Sequence, residues 1–163
     1  MGQMGLSFGE LQATIVKDLQ DRQLGVLATA QGTHVTARQM RLVPNGPKIY
    51  CFTYLGDRKH KQIAANPNVA MSAGNIQIEG VPSLKRHPLA AENADFIQVY
   101  GFSQPENLQR SLDRNFGDPR CIVLEINPTR VARYNQGNAT AGSWYVEILD
   151  VTDTKPHQIG GDD

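Results

Sequence analysis

The chain has 163 residues, of which 40% are hydrophobic and 20% charged, a composition that suits one globular domain with a substantial core. Its 16 basic and 16 acidic residues balance, so no overall field draws the protein to nucleic acid or to an acidic membrane surface. No apolar run approaches the roughly 20 residues of a membrane span, and the N-terminus lacks the layout of a signal peptide. We expect a cytoplasmic protein that binds neither nucleic acid nor membrane.

The cysteines and histidines show no metal-binding pattern. Cys51 and Cys121 each lie in an apolar, strand-like run, without a Cys-x-x-Cys or Cys/His spacing. We expect two buried free thiols in a reducing compartment, while a disulfide between them stays open at this point. The four histidines are scattered along the chain, so we expect no metal site.

A helix is predicted near the start of the chain. Ser7 and Glu10 have the spacing of a capping box, and the helix should end near Asp21. An apolar residue then recurs at every fourth position: Leu11, Ile15 and Leu19. This narrow apolar stripe is typical of a helix that docks on a sheet.

Most of the remaining chain has the pattern of short strands joined by turns. The runs with strand character are 24–30, 34–43, 48–54, 69–73, 76–81, 121–126, 131–135 and 143–149. The alternation in the second run breaks between Ala37 and Met40, which predicts a bulge, and Pro128 interrupts the strand that follows residue 121. Two helices are predicted within residues 82–119, one over 89–100 and one that starts at a Ser103/Glu106 capping box.

Hairpin-linked strands with inserted helices predict a mainly β fold, an antiparallel split β-barrel of about six to eight strands with peripheral helices. No GxGxxG or Walker-type loop supports a Rossmann or P-loop fold. We expect a single domain over residues 1–151 and a flexible, polar C-terminal tail over residues 152–163.

A run of basic residues opens the helix predicted after the 48–54 strand. Arg58, Lys59, His60 and Lys61 fall in its first turn, where the helix dipole makes a cation cost about 0.3–1 kcal/mol. Free backbone N–H groups also point outward at that end, so a bound anion would reverse the sign of the arrangement. The segment therefore predicts a phosphate-binding helix start, while a basic, solvated helix end would explain the same residues.

The order of these features resembles that of the pyridoxamine 5'-phosphate oxidase-like superfamily of flavin-binding split barrels. The resemblance runs from about Leu24 to Leu84, with a weaker echo towards the end of the chain. The strings that carry it are Arg38-Gln39-Met40-Arg41-Leu42-Val43, Phe52-Thr53, Arg58-Lys59 and Asn66-Pro67. It implies FMN bound between the two subunits of a homodimer.

The resemblance also implies a role for particular residues. The flavin phosphate would be held by basic residues matching Arg38, Arg58 and Lys59, with a hydroxyl matching Thr53. The backbone of residues 40–43 would pass along the isoalloxazine edge. The full set of implied cofactor-binding residues is Arg38, Met40, Arg41, Leu42, Val43, Phe52, Thr53, Arg58, Lys59, Asn75 and Trp144.

Several of these residues have a plainer interpretation. Arg38 and Arg41 could be solvent-facing strand residues, and Thr53 is common in strands by propensity alone. Asn75 falls near a position where a polar side chain touches the flavin ring in relatives. Trp144 either flanks the flavin in the partner subunit or anchors the core or an interface.

Two departures from the superfamily pattern bear on function. Val43-Pro44 stands where true pyridoxamine-phosphate oxidases carry a lysine, and the segment 143–151 lacks their substrate-binding arginine–x–histidine pair. Oxidation of vitamin B6 is therefore not expected. Asp57, which should cap the basic helix, replaces the more usual serine, and its carboxylate weakens an anion site unless it faces away.

The leading hypothesis is an FMN-dependent oxidoreductase of unknown substrate, with a small-molecule electron donor and acceptor and no assignable catalytic residue. One alternative keeps the fold and binds a deazaflavin or haem, for which His34 is the candidate axial ligand. The other alternative is a flavin-binding or stress-related module without a dedicated substrate.

Overall fold

The computed structural model describes residues 7–135, 143–151 and 157–162. Four α-helices lie within these residues: α1 (Phe8–Gln20), α2 (Arg58–Ala65), α3 (Ala94–Ser103) and α4 (Pro105–Arg114). A 3-10 helix, Ala91–Asn93, precedes α3. The nine strands are β1 (Leu24–Gln31), β2 (His34–Arg41), β3 (Val43–Asn45), β4 (Lys48–Tyr54), β5 (Val69–Ala73), β6 (Ile76–Leu84), β7 (Cys121–Asn135), β8 (Ser143–Asp150) and β9 (His157–Asp162).

All the strands form one antiparallel sheet around the long strand β7. The main path runs β2-β1-β5-β6-β7-β4-β3. On one side β7 pairs with β6 along most of its length, and on the other side its first part pairs with β4 and its last part with β8. The sheet therefore divides at β7, and the predicted antiparallel split β-barrel with peripheral helices is confirmed.

The interruption predicted at Pro128 is wrong, because β7 is continuous through it. Gly80 pairs with Pro128 and Glu79 with Arg130, so Thr129 is an extra residue in β7 and forms a bulge. Proline is tolerated in strands at bulges, where the ladder is already disrupted and its missing N–H costs little.

The bulge predicted between Ala37 and Met40 is also absent. The pairing of β1 with β2 runs without a shift from Leu24↔Arg41 to Gln31↔His34. The apolar alternation changes phase because the face of β2 that carries Ala37 is exposed and does not require apolar residues. The predicted 34–43 strand is instead divided at Leu42, and Val43 begins β3.

Helix α1 forms as predicted. The Ser7 backbone N–H donates to Glu10 Oε2 at 2.8 Å, and the Glu10 N–H donates to Ser7 Oγ at 3.4 Å, which completes the capping box. Its apolar stripe, Leu11, Ile15 and Leu19, is almost fully buried against the barrel.

Helices α3 and α4 cover the side of β4 that faces away from the barrel interior. The contacts there are aromatic: Phe96 meets the rings of Tyr50, Tyr100 and Phe116 at centroid distances of 5.7–5.8 Å. The chain thus has two cores, an aliphatic one inside the barrel and this aromatic cluster beneath the two helices.

The capping box predicted at Ser103 is wrong. Helix α4 begins at Pro105, with Gln104 as its N-cap and no side-chain cap bond. Ser103 Oγ donates weakly to the Tyr100 carbonyl at 3.5 Å. Gln104 is buried, and its amide donates to the Leu42 carbonyl at 2.8 Å, so a tertiary contact fixes this corner.

The two cysteines are free and lie in different cores, as expected from their apolar surroundings. Burial raises the pKa of each thiol to about 12, in Cys51 against the lowering effect of the nearby Lys59 ammonium. Both thiols are therefore protonated at neutral pH.

No strand is predicted after residue 149, yet His157–Asp162 forms β9 and pairs with β8. Strand pairing uses backbone groups, which a polar, glycine-containing segment also provides. Among the described helices, none has both the length and the apolar character of a membrane span.

Candidate anion-binding site

The candidate site lies where α2 packs against β1 and β4. Alternation along β2 places Thr36, Arg38 and Met40 on the inner face of the sheet, with Val35 and Ala37 on the outer face. The site is therefore built from the inner face of the β1–β2 hairpin and the start of α2.

Arg38 is anchored on this inner face and is not a solvent-facing strand residue. Its guanidinium donates to the Leu27 carbonyl at 3.1 Å and to Thr29 Oγ1 at 2.7 Å. It also hydrogen bonds to Thr36 Oγ1 and donates to Gln62 Oε1 at 3.3 Å. These bonds hold the side chain in one place, with part of its surface still exposed.

Gln62 links the hairpin to α2. Its Oε1 accepts from Thr29 Oγ1 and from Thr36 Oγ1, both at 2.7 Å, and the side chain is 4% exposed. None of these three residues, Gln62, Thr29 and Thr36, is predicted from the sequence as part of a site. The sequence signal that could have identified the two threonines is their spacing about the turn after Gln31, because Thr29 and Thr36 pair directly across the β1–β2 hairpin.

Arg58 brings a second guanidinium to the site. It is the first residue of α2 and is exposed. Burial lowers the pKa of Arg38, and the charge of Arg58 lowers it further, so the two cations lie close enough to repel. Among the described residues, no carboxylate forms an ion pair with either of them.

An open cleft of about 470 Å³ lies beside this pair. It is lined by Gln31, His34, Thr36, Arg58, Lys61 and Gln62. Its walls therefore carry two cations, together with hydroxyl and amide groups, and no carboxylate. Such a lining, with Arg58 and Lys61 as its cations, suits an anion. Arg38 does not line the cleft itself but is hydrogen bonded to Thr36 and Gln62, which do. A doubly charged group at this end of the cleft would therefore relieve the repulsion between Arg38 and Arg58.

Thr53 contributes a buried hydroxyl without a partner. The residue is 0% exposed, and Oγ1 has no hydrogen-bond partner within the described part of the chain. An unsatisfied buried hydroxyl costs about 1–3 kcal/mol, so one in a native structure requires an explanation. A ligand oxygen at this position would supply the missing partner.

Lys59 lies near Cys51, which is two residues before Thr53 on β4. Its ammonium lowers the pKa of the Cys51 thiol, and Cys51 and Thr53 both lie on the inner face of that strand. Lys59 Nζ also forms an ion pair with Asp57 Oδ2 at 3.0 Å. Asp57 occupies the N-cap position of α2 as predicted, but its side chain makes no cap hydrogen bond.

Among the residues expected to line a flavin ring, Met40, Leu42 and Val43 have buried side chains. A ligand beside them would contact backbone atoms rather than side chains, although the Leu42 N–H and carbonyl are already bonded to Gln23 and Gln104. Strand β2 is paired only with β1 in the described sheet, so backbone groups along its other edge are open to such a contact. The side chain of Phe52 faces the aromatic cluster, with its ring 5.5 Å from that of Phe116.

Two other candidates lie apart from the cations. Arg41 is on the outer face of β2 and donates to Gln104 Oε1 at 2.6 Å. Asn75 follows β5, towards the opposite end of β1 from Thr29, where it accepts from Arg22 at 3.0 Å and donates to the Tyr134 carbonyl at 2.9 Å. Trp144 is on β8, and its side chain lies outside the described part of the structure.

The structure thus brings Arg38 and Arg58 together and places Lys59 near Cys51, which shares one face of β4 with Thr53. The three cations and Thr53 fit the phosphate of a flavin mononucleotide in charge and in hydrogen-bonding capacity. Among the described residues, no group of three or more His, Cys, Asp or Glu side chains could hold a metal ion.

Comparison with known proteins identifies relatives in fold. No protein-family model matches the sequence, and no curated protein matches it. A pyridoxamine 5'-phosphate oxidase-related, FMN-binding protein from Nostoc punctiforme has a TM-score of 0.64 at 12% identity, over 98% of this chain and 100% of that protein.

Two further structures are similar at a TM-score of 0.58. The General Stress Protein 26 of Bacillus anthracis is 24% identical over 74% of this chain and 91% of its own. The haem storage protein of Vibrio cholerae is 15% identical over 72% of this chain and 89% of its own. At these identities the likeness establishes the fold, the split barrel of pyridoxamine 5'-phosphate oxidase-like proteins, as the sequence resemblance implied.

Proposed function

We propose that the chain binds FMN, with the flavin phosphate held between Arg38 and Arg58, and that the bound flavin serves an oxidoreductase reaction. The observation that carries this proposal is the pair of guanidinium groups without a carboxylate partner in the described structure. A phosphate monoester has a charge of about −1.5 to −2 near neutral pH, which matches two cations. The fold shared with an FMN-binding protein supports the same ligand.

The residues of the site would contribute different contacts to the phosphate. Arg38, fixed by the hairpin threonines and Gln62, offers a preorganised fork, while Arg58 and Lys59 add charge from α2. Thr53 Oγ1 would donate to a phosphate oxygen. The flavin itself supplies the electron and hydride chemistry once bound, and the protein positions it.

The electron donor and the electron acceptor are small molecules in this proposal, and no residue is proposed as a catalytic acid or base. Val43-Pro44 provides no cation for the phosphate of a B6 vitamer, so oxidation of that substrate is not proposed. Two buried thiols fit a reducing compartment such as the cytoplasm. Reduction of bound FMN by a nicotinamide donor, followed by reoxidation by an acceptor other than oxygen, tests the enzymatic role. A flavin that no donor reduces would favour the non-catalytic module.

We also propose a homodimer with the flavin at the subunit interface. The outer face of the β1–β2 hairpin exposes Leu24 (48%), Val26 (43%) and Val35 (68%), with alanines between them. Gln39 and Arg41 lie opposite Val26 and Leu24 on this face, so its apolar part extends from Val26 to Val35. Exposed apolar surface of this kind favours association. The same face borders the edge of β2, where the flavin ring is expected.

Substitution of Val26 and Val35 by lysine is expected to convert the dimer to monomer, because the charges cannot be buried unpaired. Sedimentation velocity measures the change, and FMN affinity should fall with it. Leu89→Lys, at a residue that is 55% exposed outside the sheet, is the matched control and should stay dimeric. A wild-type monomer, or a dimer unaffected by the double substitution, would refute this arrangement.

Thr53→Val is expected to change stability and binding in opposite directions. Valine has nearly the shape of threonine and removes the unpaired hydroxyl, so the free energy of unfolding should rise by about 1 kcal/mol. FMN affinity should fall about two- to tenfold, because one hydrogen bond to the phosphate is lost.

Chemical denaturation and FMN titration measure the two effects of Thr53→Val. Thr29→Val is the control, since its hydroxyl is already bonded to Gln62 and its loss should lower stability. A Thr53 variant that binds FMN as tightly as wild type would remove this hydroxyl from the proposed site.

Haem is a second candidate ligand, because His34 lines the cleft beside Arg58 and a haem storage protein shares the fold. A deazaflavin would occupy the same site as FMN. The visible absorption spectrum of protein mixed with each ligand separates the three. A shifted haem band that disappears in His34→Ala, without any flavin binding, would favour haem.

A further inference from the structure

Asp57 directly precedes Arg58 at the start of α2, beside the proposed phosphate site. At the N-cap of α2 an aspartate ordinarily accepts a hydrogen bond from a helix N–H group, but Asp57 makes none. Its Oδ2 instead holds Lys59 Nζ at 3.0 Å. The side chains are only 39% and 18% exposed, so water screens this ion pair incompletely.

The Lys59 side chain is largely buried, at 18% exposed, and its ammonium lowers the pKa of the Cys51 thiol. Among the described residues, Asp57 is the one carboxylate that pairs with it. The three cations of the site therefore differ. Arg38 and Arg58 have no carboxylate partner in the described structure, whereas Lys59 already has one supplied by the chain.

We propose that Asp57 competes with the ligand phosphate for Lys59 and thereby limits how tightly the chain retains FMN. This inference rests on the proposed function. A phosphate that enters the site meets a like charge on Asp57 and must share or displace the ion pair before Lys59 can contribute. The flavin is then an exchangeable ligand, and Asp57 is the residue that keeps it exchangeable.

Asp57→Asn tests the competition, because it removes the charge, keeps the shape and retains a good N-cap residue. We expect the Kd for FMN to fall about two- to fivefold, which corresponds to a partly exposed ion pair. Dissociation of FMN should slow by a similar factor. Riboflavin, which lacks the phosphate, should bind equally to both proteins. Quenching of flavin fluorescence measures each quantity.

Two controls identify the cause. Glu106→Gln removes a carboxylate from the first turn of α4, so it reproduces the change in net charge and should leave the Kd unchanged. In a Lys59→Met background, Asp57→Asn should have less than half its effect, because there is no ammonium to release. An undiminished effect in that background, or unchanged FMN binding in Asp57→Asn, would overturn the competition.

Failure of the proposed function gives a different result. If neither wild type nor Asp57→Asn binds FMN, the flavin proposal is wrong, and sulfate replaces FMN as the probe. A larger sulfate-dependent rise in melting temperature for Asp57→Asn than for wild type would then support competition for Lys59. Equal rises would refute it.

Discussion

Replacing Arg58 and Lys59 together by alanine is expected to raise the Kd for FMN by at least about tenfold. A hydrogen bond to a charged group contributes about 1.5–3 kcal/mol, and a loss of about 1.4 kcal/mol already corresponds to tenfold. We take the lower bound because Arg58 is exposed and Lys59 is partly neutralised by Asp57. Isothermal titration with FMN measures the effect.

The matched control changes two cations on another helix. Arg110 and Arg114 are exposed on α4, and their replacement by alanine removes the same charge from the protein. FMN affinity should be unaffected in that variant. Unchanged affinity in the Arg58/Lys59 variant would return the basic start of α2 to a solvated helix end without a ligand.

Phe96→Ala is expected to lower the free energy of unfolding by about 3–5 kcal/mol, the usual cost of deleting a buried phenylalanine. Phe96 is 0% exposed and lies at the centre of the aromatic cluster, in contact with the rings of Tyr50, Tyr100 and Phe116. Helices α3 and α4 pack on β4 through this cluster, so the cavity cannot close without moving them. Urea denaturation followed by circular dichroism measures the loss.

Phe102→Ala on the same helix provides the control. Phe102 is 90% exposed, so its truncation should change stability by no more than about 0.5 kcal/mol. Equal losses in the two variants would mean that the aromatic cluster does not hold α3 in place.

Much of the fold follows from local patterns in the sequence. The Ser7/Glu10 capping box and the stripe from Leu11 to Leu19 predict α1, because both depend on residues within a few turns of each other. The errors arose where a distant contact decides the structure. Strand β7 continues through Pro128 because Thr129 forms a bulge in its pairing with β6, and α4 begins after Gln104 because that side chain is bonded to Leu42.

The site was predictable in part. Arg38, Arg58, Lys59 and Thr53 were predicted through their resemblance to a superfamily pattern. The structure places Arg38 near Arg58 and buries the Thr53 hydroxyl without a partner among the described residues, while their contact with a phosphate stays a prediction. Three residues fix the Arg38 side chain: Thr29, Thr36 and Gln62. Their residue types and positions are typical of any amphipathic strand or helix. Their role depends on α2 packing across the β1–β2 hairpin, which no local pattern shows.

The direction of the Asp57 side chain illustrates the same limit. Position and residue type predict an N-cap, and the backbone agrees. The sequence contains two groups that the carboxylate could satisfy, the N–H groups of α2 and the ammonium of Lys59. Only the three-dimensional structure shows that the Asp57 carboxylate pairs with the Lys59 ammonium.

Titration of the purified protein with FMN and with riboflavin tests the central claim most directly. Quenching of flavin fluorescence measures the two dissociation constants. If Arg38 and Arg58 hold the flavin phosphate, the Kd for FMN should be at least about a hundredfold lower than that for riboflavin, because FMN gains two charge-assisted contacts. The preference should shrink as salt rises, because a screened anion is attracted less strongly. Equal binding of the two flavins, or binding of neither, would contradict the assignment of this cleft as a flavin-phosphate site.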